Sequence, residues 1–267
     1  MPMLETADGI SIHYVIDDFT DPWTSVPTVV FIHGLSESGQ AFGPFVPALS
    51  RHMKVVRMDL RGYGLSPAMP ADHSWKFDGL VEDVAALIRS LAVPKVHLVG
   101  GKIGGTISLA VAARHPDLID RLAVLGAPAS LKEMASVTPG WRQQIAREGV
   151  VSWVRATNGG RMGSKMTPDQ LEWWARMMGR TAPSTLEGFL QMVPSVDVRD
   201  EVHRISAPTL VVTTTGSGLG SVETVRAWQV KIPNSRLEVV ESDSYHVAAS
   251  DADEVAKLVR DFLLRPV

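Results

Sequence analysis

One stretch constrains the fold more than any other. Val96-His-Leu-Val-Gly-Gly-Lys-Ile-Gly-Gly-Thr106 is an apolar strand that runs into a glycine-flanked turn and out into a helix. Glycines at 100, 104 and 105 allow so tight a junction that the apex side chain, Lys102, is expected to stand above the sheet in a strained backbone conformation.

The rest of the chain alternates strand and helix around this junction. Thr28 to Ile32 and Val96 to Val99 are apolar and largely β-branched, as strands buried on both faces should be, whereas residues 9 to 16 alternate like a half-exposed strand. Short strands are expected at Lys54 to Arg57 and Leu122 to Leu125. Helices are expected over Ser38 to Ser50, Phe77 to Leu91 and Ile103 to Arg114, the last closed by His115-Pro116. This pattern implies a mostly parallel twisted sheet flanked by helices, joined by right-handed crossovers. From residue 128 to 205 the pattern becomes helical and carries Trp141, Trp153, Trp173, Trp174 and many methionines. Alternation resumes at Pro208 to Val212, with a helix over Ser221 to Lys231, a strand at Arg236 to Val240 and an amphipathic helix over Ala252 to Leu264. The expected organisation is a core of residues 1–127 and 206–267 with a helical cap at 128–205. Its tryptophans and methionines read first as core between cap and sheet, and second as the wall of an apolar pocket.

Four ordered motifs carry a family resemblance. Gly100-Gly-Lys-Ile-Gly104 resembles the G-x-S-x-G nucleophile elbow of the α/β-hydrolase superfamily, with Lys102 where serine belongs. His33-Gly34 resembles the turn whose following backbone N–H, here of Leu35, forms one side of an oxyanion hole. The N–H of Ile103 would form the other. Asp59-Leu-Arg-Gly-Tyr-Gly-Leu-Ser66 resembles the D-x-R-G-x-G-x-S loop, structural in most members, and His246 stands where the family places its catalytic histidine. The match is closest to capped members such as enol-lactone hydrolases and carbon-carbon bond hydrolases. It implies an α/β-hydrolase fold with a helical cap and a cofactor-independent enzyme for a small carbonyl substrate.

The family's acid has no counterpart in the usual places. Gly216-Ser-Gly-Leu-Gly-Ser221 holds no carboxylate before Glu223, and Gly126-Ala-Pro-Ala-Ser130 holds none. Asp243, Asp197 and Asp200 are nearby candidates outside any matching motif. The acid therefore reads as lost, which weakens a serine-type relay. An acylated lysine would be an amide that water removes slowly, so two productive roles are left to Lys102. One is a cation that polarises or binds the substrate while His246 activates water; the other is a Schiff-base amine. A neutral amine at pH 7 needs a pKa drop of about 3 units, far beyond what the positive end of the following helix supplies. The leading expectation is an atypical non-serine hydrolase for a lactone, an ester or a β-dicarbonyl carbon-carbon bond. Lys102 and His246 would be catalytic, Leu35 and Ile103 would hold the oxyanion, and Ser36, Trp141 and Trp174 would contact substrate. A Lys102 Schiff-base lyase or decarboxylase and a non-catalytic ligand-binding homologue are the alternatives.

Composition narrows the partners. A net charge of -3 and no basic run with interleaved aromatics argue against nucleic acid, and no apolar run approaches a membrane span. The absence of cysteine excludes disulfides and thiolate metal sites, and the histidines show no H-x-x-x-H spacing, so no metal or other cofactor is expected. With neither a basic nor an apolar leader at the first residues, a cytoplasmic location is the expectation.

Overall fold

In the computed structural model, which describes residues 2–265, the eight strands form one sheet in the order β1-β2-β4-β3-β5-β6-β7-β8. They are β1 (Met3–Glu5), β2 (Ser11–Asp17), β3 (Thr28–Ile32), β4 (Lys54–Met58), β5 (Val96–Gly101), β6 (Ile119–Leu125), β7 (Thr209–Thr214) and β8 (Ser235–Val240). Pairing is antiparallel from β1 to β2 and from β2 to β4, and parallel through the rest. Strands β3, β5 and β7 are buried at every residue, which is why their sequences carry no polar alternation.

The helices are α1 (Val46–Leu49), α2 (Phe77–Ser90), α3 (Ile103–Arg114), α4 (Thr138–Glu148), α5 (Val150–Met162), α6 (Pro168–Met178), α7 (Pro183–Met192), α8 (Val222–Gln229), α9 (Val247–Ser250) and α10 (Ala252–Leu263). Helix α3 is buried from Ile103 to Ala113, so its small residues let it lie close on the sheet. The single helix expected over Ser38 to Ser50 is instead a 3-10 segment, Gly39–Phe45, followed by the single turn of α1. Pro44 cannot donate to a helical ladder, and glycines 39 and 43 weaken one. The edge strand β1, three residues long, was too short to leave a periodic signal.

Helices α4 to α7 lie between β6 and β7 in sequence, where a helical insertion was expected. The only strand-like pairing of this segment among the described residues is an isolated bridge from Ser130 to Asp197, which closes its base. Hydrogen bonds along its length fasten it over the sheet's loops. Ser36 Oγ donates to Met178 O (2.9 Å), Met69 N to Thr185 Oγ1 (3.0 Å) and His246 N to Arg161 O (3.2 Å). Trp153 is fully buried with Trp141 against it, as core packing requires, while Trp173 is half exposed.

Register fixes where chemistry can occur. Ile32 pairs with Gly100, so the turn that leaves β3 lies beside the turn that leaves β5. The loop of residues 33 to 38 and the junction at Lys102 therefore lie side by side at the carboxyl edge of the central strands.

Candidate functional site

Lys102 occupies the junction of β5 and α3 with φ 52° and ψ -125°, a left-handed conformation that costs a non-glycine residue about 1 to 3 kcal/mol. The junction tolerates it because α3 presses on the β3 turn: a Cβ on Gly104 would collide with the carbonyl oxygens of Ile32 and His33. The lysine side chain then runs across Gly34, where a Cβ would collide with Lys102 Cε, and ends on Glu37.

Glu37 is the centre of the site. Its Oε2 accepts from Gly34 N (2.9 Å), while its Oε1 receives Lys102 Nζ in a short ion pair and lies 2.8 Å from His246 Nε2. The side chains of Glu37 and His246 are 1% and 2% exposed and that of Lys102 is 7% exposed, so water screens none of these contacts. The ring nitrogen of His246 is close to the carboxylate but not aligned as a linear hydrogen bond. Trp174 packs edge-on against the imidazole, with ring centroids 4.9 Å apart. The main chain before the ring is fixed as well: Ser244 Oγ accepts from His246 N (2.8 Å) and donates to Arg161 O (3.0 Å).

Burial and charge set the protonation states. Burial pushes the Glu37 carboxyl up, but His246 and Lys102 together outweigh it and hold Glu37 well below the usual carboxylate range. Burial lowers Lys102 from 10.5 to about 8, Glu37 opposing the shift and the charge of Arg161 adding to it. Burial likewise lowers His246 below 6.5, against the pull of Glu37. At neutral pH the site holds an ionised Glu37, a mostly protonated Lys102 and a neutral imidazole.

Lys102 opens onto a cavity of about 50 Å³ lined by Leu35, Ile103, Trp141, Arg161 and Tyr245 among others. Neither the N–H of Leu35 nor that of Ile103 has an acceptor among the described residues. A larger crevice of about 650 Å³ lies between α6 and the start of α10, but it touches none of Lys102, Glu37 and His246 and only meets the site through the back of Trp174.

A family model for the alpha/beta hydrolase fold matches residues 27–253. The chain belongs to this family. It is 28% identical over 249 residues to a pimeloyl-[acyl-carrier protein] methyl ester esterase of Aeromonas hydrophila, covering 89% of this chain and 95% of that one. The crystal structure of the enol-lactonase from Burkholderia xenovorans LB400 superposes with a TM-score of 0.89 at 25% identity, covering 99% of this chain and 100% of the other. A hydrolase from Pseudomonas aeruginosa PA01 has the same fold, with a TM-score of 0.87 at 24% identity over 99% of this chain and 98% of that one. The relatives are hydrolases, and this α/β-hydrolase is an enzyme of that class.

In this α/β-hydrolase the carboxylate that the sequence reading treated as lost is Glu37, on the loop after β3. After β7, where the resemblance places the acid, the chain has Thr214 Oγ1 donating to Ser244 O (2.5 Å) instead of a carboxylate. None of the other candidates supplies one: Asp243 accepts from Ser164 N (2.9 Å), and Asp197 is engaged by Arg199 and Lys132. Asp200 has no ion-pair partner among the described residues and no contact with His246. Glu37 could have been found from the pairing of the β3 and β5 turns, which puts any acid shortly after His33-Gly34 beside the elbow apex.

The expected substrate contacts divide. Trp141 lines the cavity; Trp174 touches His246 but faces the larger crevice. Ser36 is fully buried with φ 62° and commits its hydroxyl to Met178 O, so it latches α6 to the loop and does not face the cavity. His33 is structural, its Nδ1 donating to Gly34 O (2.8 Å) and its Nε2 accepting from Leu60 N (3.0 Å). The Asp59 loop is structural too: one carboxylate oxygen accepts from Gly39 N (2.6 Å) and the other from Leu65 N (2.9 Å) beside His13 Nδ1. No helix among the described residues is long and apolar enough to cross a membrane.

Proposed function

We propose that this enzyme hydrolyses a small ester, lactone or β-dicarbonyl compound without a serine nucleophile, under a cap formed by residues 128–205. The observation that carries the reading is the Lys102–Glu37–His246 cluster, a cation and an imidazole on one carboxylate oxygen beneath the cavity. The substrate carbonyl enters between the backbone N–H groups of Leu35 and Ile103, with the Lys102 ammonium adding positive charge where the oxyanion develops. Neutral His246 takes a proton from water as the water oxygen bonds to the carbonyl carbon. The imidazolium so formed is stabilised by Glu37 2.8 Å away. Collapse of the tetrahedral intermediate expels the leaving oxygen or carbon, which recovers the proton from His246. Relatives named as a methyl ester esterase and an enol-lactonase support the substrate range.

A second reading, an imine-forming lyase, draws on the depressed Lys102 pKa of about 8, which leaves about one lysine in ten neutral at pH 7. The ion pair with Glu37 argues against it, since the amine must leave a buried carboxylate before it can attack. A non-catalytic binder is disfavoured by the carboxylate held against His246. The test is hydrolysis of a panel of short-chain esters and small lactones, with a fluorophosphonate probe run alongside. Turnover should fall by roughly 10²-fold or more in His246→Ala and in Lys102→Met, and the probe should label no serine. Labelling of one serine in stoichiometric amount, or full activity in Lys102→Met, would overturn the proposal.

A further inference from the structure

Arg161, at the end of α5, is a second cation beside the cavity that neither the elbow nor the histidine explains. It is 2% exposed, and its partners are all neutral. Nη2 donates to Thr157 Oγ1 (2.7 Å), Nη1 approaches Met178 Sδ at 3.4 Å, and the guanidinium carbon lies 5.1 Å from the centre of the Trp153 ring. Nε is buried with no hydrogen-bond partner, and no carboxylate among the described residues forms an ion pair with Arg161.

A buried guanidinium without an anion is costly, and an orphaned donor adds to that cost. The two other buried arginines have oxygen acceptors: Arg61 lies against Asp83 at 2.5 Å, and Arg121 donates to the carbonyls of Phe262 (3.4 Å) and Arg265 (2.7 Å). The charges around the cavity make the same point. Lys102 and Arg161 contribute two positive charges and Glu37 one negative, so with a neutral imidazole the closed site carries one uncompensated positive charge. Arginine presents a planar fork of donors that matches a carboxylate in two-point contact, which a solvated lysine does not.

We infer that the cavity takes a small monocarboxylate whose acid group binds Arg161 and whose apolar body lies against Leu131, Met134 and Val193, with its reacting carbonyl toward Lys102. This deepens the proposed hydrolysis and rests on that reading for the direction of the carbonyl. A monoanion brings the site to neutrality and gives Nε its acceptor. The small cavity, about 50 Å³, favours short acids over long ones.

The experiment measures binding and needs no turnover. Butanoate, 4-oxopentanoate and hexanoate are titrated calorimetrically into the full chain, each against its isosteric primary amide. At least one acid should bind about tenfold more tightly than its amide, and in Arg161→Met the ratio should fall to within about twofold while amide binding holds. Arg161→Lys, which keeps the charge and loses the fork, should lower the ratio at least threefold, and it decides the matter if the methionine variant does not fold. No preference for any acid, or a preference that is undiminished in either variant, overturns the inference. The two proposals fail separately: acid binding through Arg161 without turnover of any ester removes the hydrolytic reading alone, whereas hydrolysis with no preference for acids removes this one alone.

Discussion

The stem of Lys102 crosses the space that a side chain on Gly34 would fill, and only through that gap does the ammonium reach Glu37. A methyl group there would collide with Cε, near the free end of a flexible side chain, so the lysine can move aside without unfolding the turn. Gly34→Ala should therefore leave the melting temperature within a few degrees of wild type while separating Lys102 from Glu37. Turnover should drop toward that of Lys102→Met. A variant that is fully active would mean that the ion pair is dispensable.

The pH profile separates the two roles of the lysine. In the cationic role activity needs neutral His246 and protonated Lys102, so kcat should rise through a pKa below 6.5 and fall through about 8. An imine mechanism would give the opposite slope near pH 8, because attack needs the free amine. Stability carries the same signature. The folded lysine loses its proton at about 8 and the unfolded one at 10.5, so between those values the unfolded chain binds more protons and folding gains stability as pH rises. Urea melts should show this gain in wild type relative to Lys102→Met, since the difference cancels other groups. An unchanged difference between pH 7.5 and pH 10 would place the folded pKa of Lys102 near its ordinary value.

Glu37 holds the site's only negative charge among the described residues, and Glu37→Gln should be harsher than removing the lysine. It strands Lys102 in the interior, a loss of about 3 to 5 kcal/mol for breaking one side of a buried pair. Because Glu37 is what raises the Lys102 pKa against burial, the basic limb of any surviving activity should move below 8. In the double variant Glu37→Gln/Lys102→Met part of the lost stability should return, since the stranded ammonium is gone. Strict additivity in a double-mutant cycle would deny the coupling.

The sheet and the long helices were legible because burial leaves a pattern: β5 and β7 are buried throughout and carry no polar alternation, and Ile103–Arg114 has the bounds its small residues and His115-Pro116 suggest. The placement of Lys102, His246, Leu35 and Ile103 near one another was legible because each follows a strand end that carries a glycine or a motif. Glu37 was not, since nothing local distinguishes a buried glutamate in Leu-Ser-Glu-Ser from an exposed one; its role arises when β3 pairs with β5. Arg161 was hidden for a related reason: on a helix it reads as one more surface arginine until Trp153 and Met178 enclose it.

Chemical trapping tests the lysine directly. With Nζ held on Glu37 Oε1 and protonated in about nine molecules of ten at pH 7, borohydride added with a small ketone or oxo acid should fix no mass on Lys102. Lys102→Met should abolish turnover, and Lys102→Arg should keep a trace, because a guanidinium carries the charge but its planar head is too broad for the passage over Gly34. If the amine were the nucleophile, trapping would succeed, would increase as pH passes 8, and would vanish in both variants. The pH dependence matters because a small neutral fraction could be trapped slowly without lying on the reaction path. Only an adduct whose formation rate matches kcat would move Lys102 from the cationic to the covalent role.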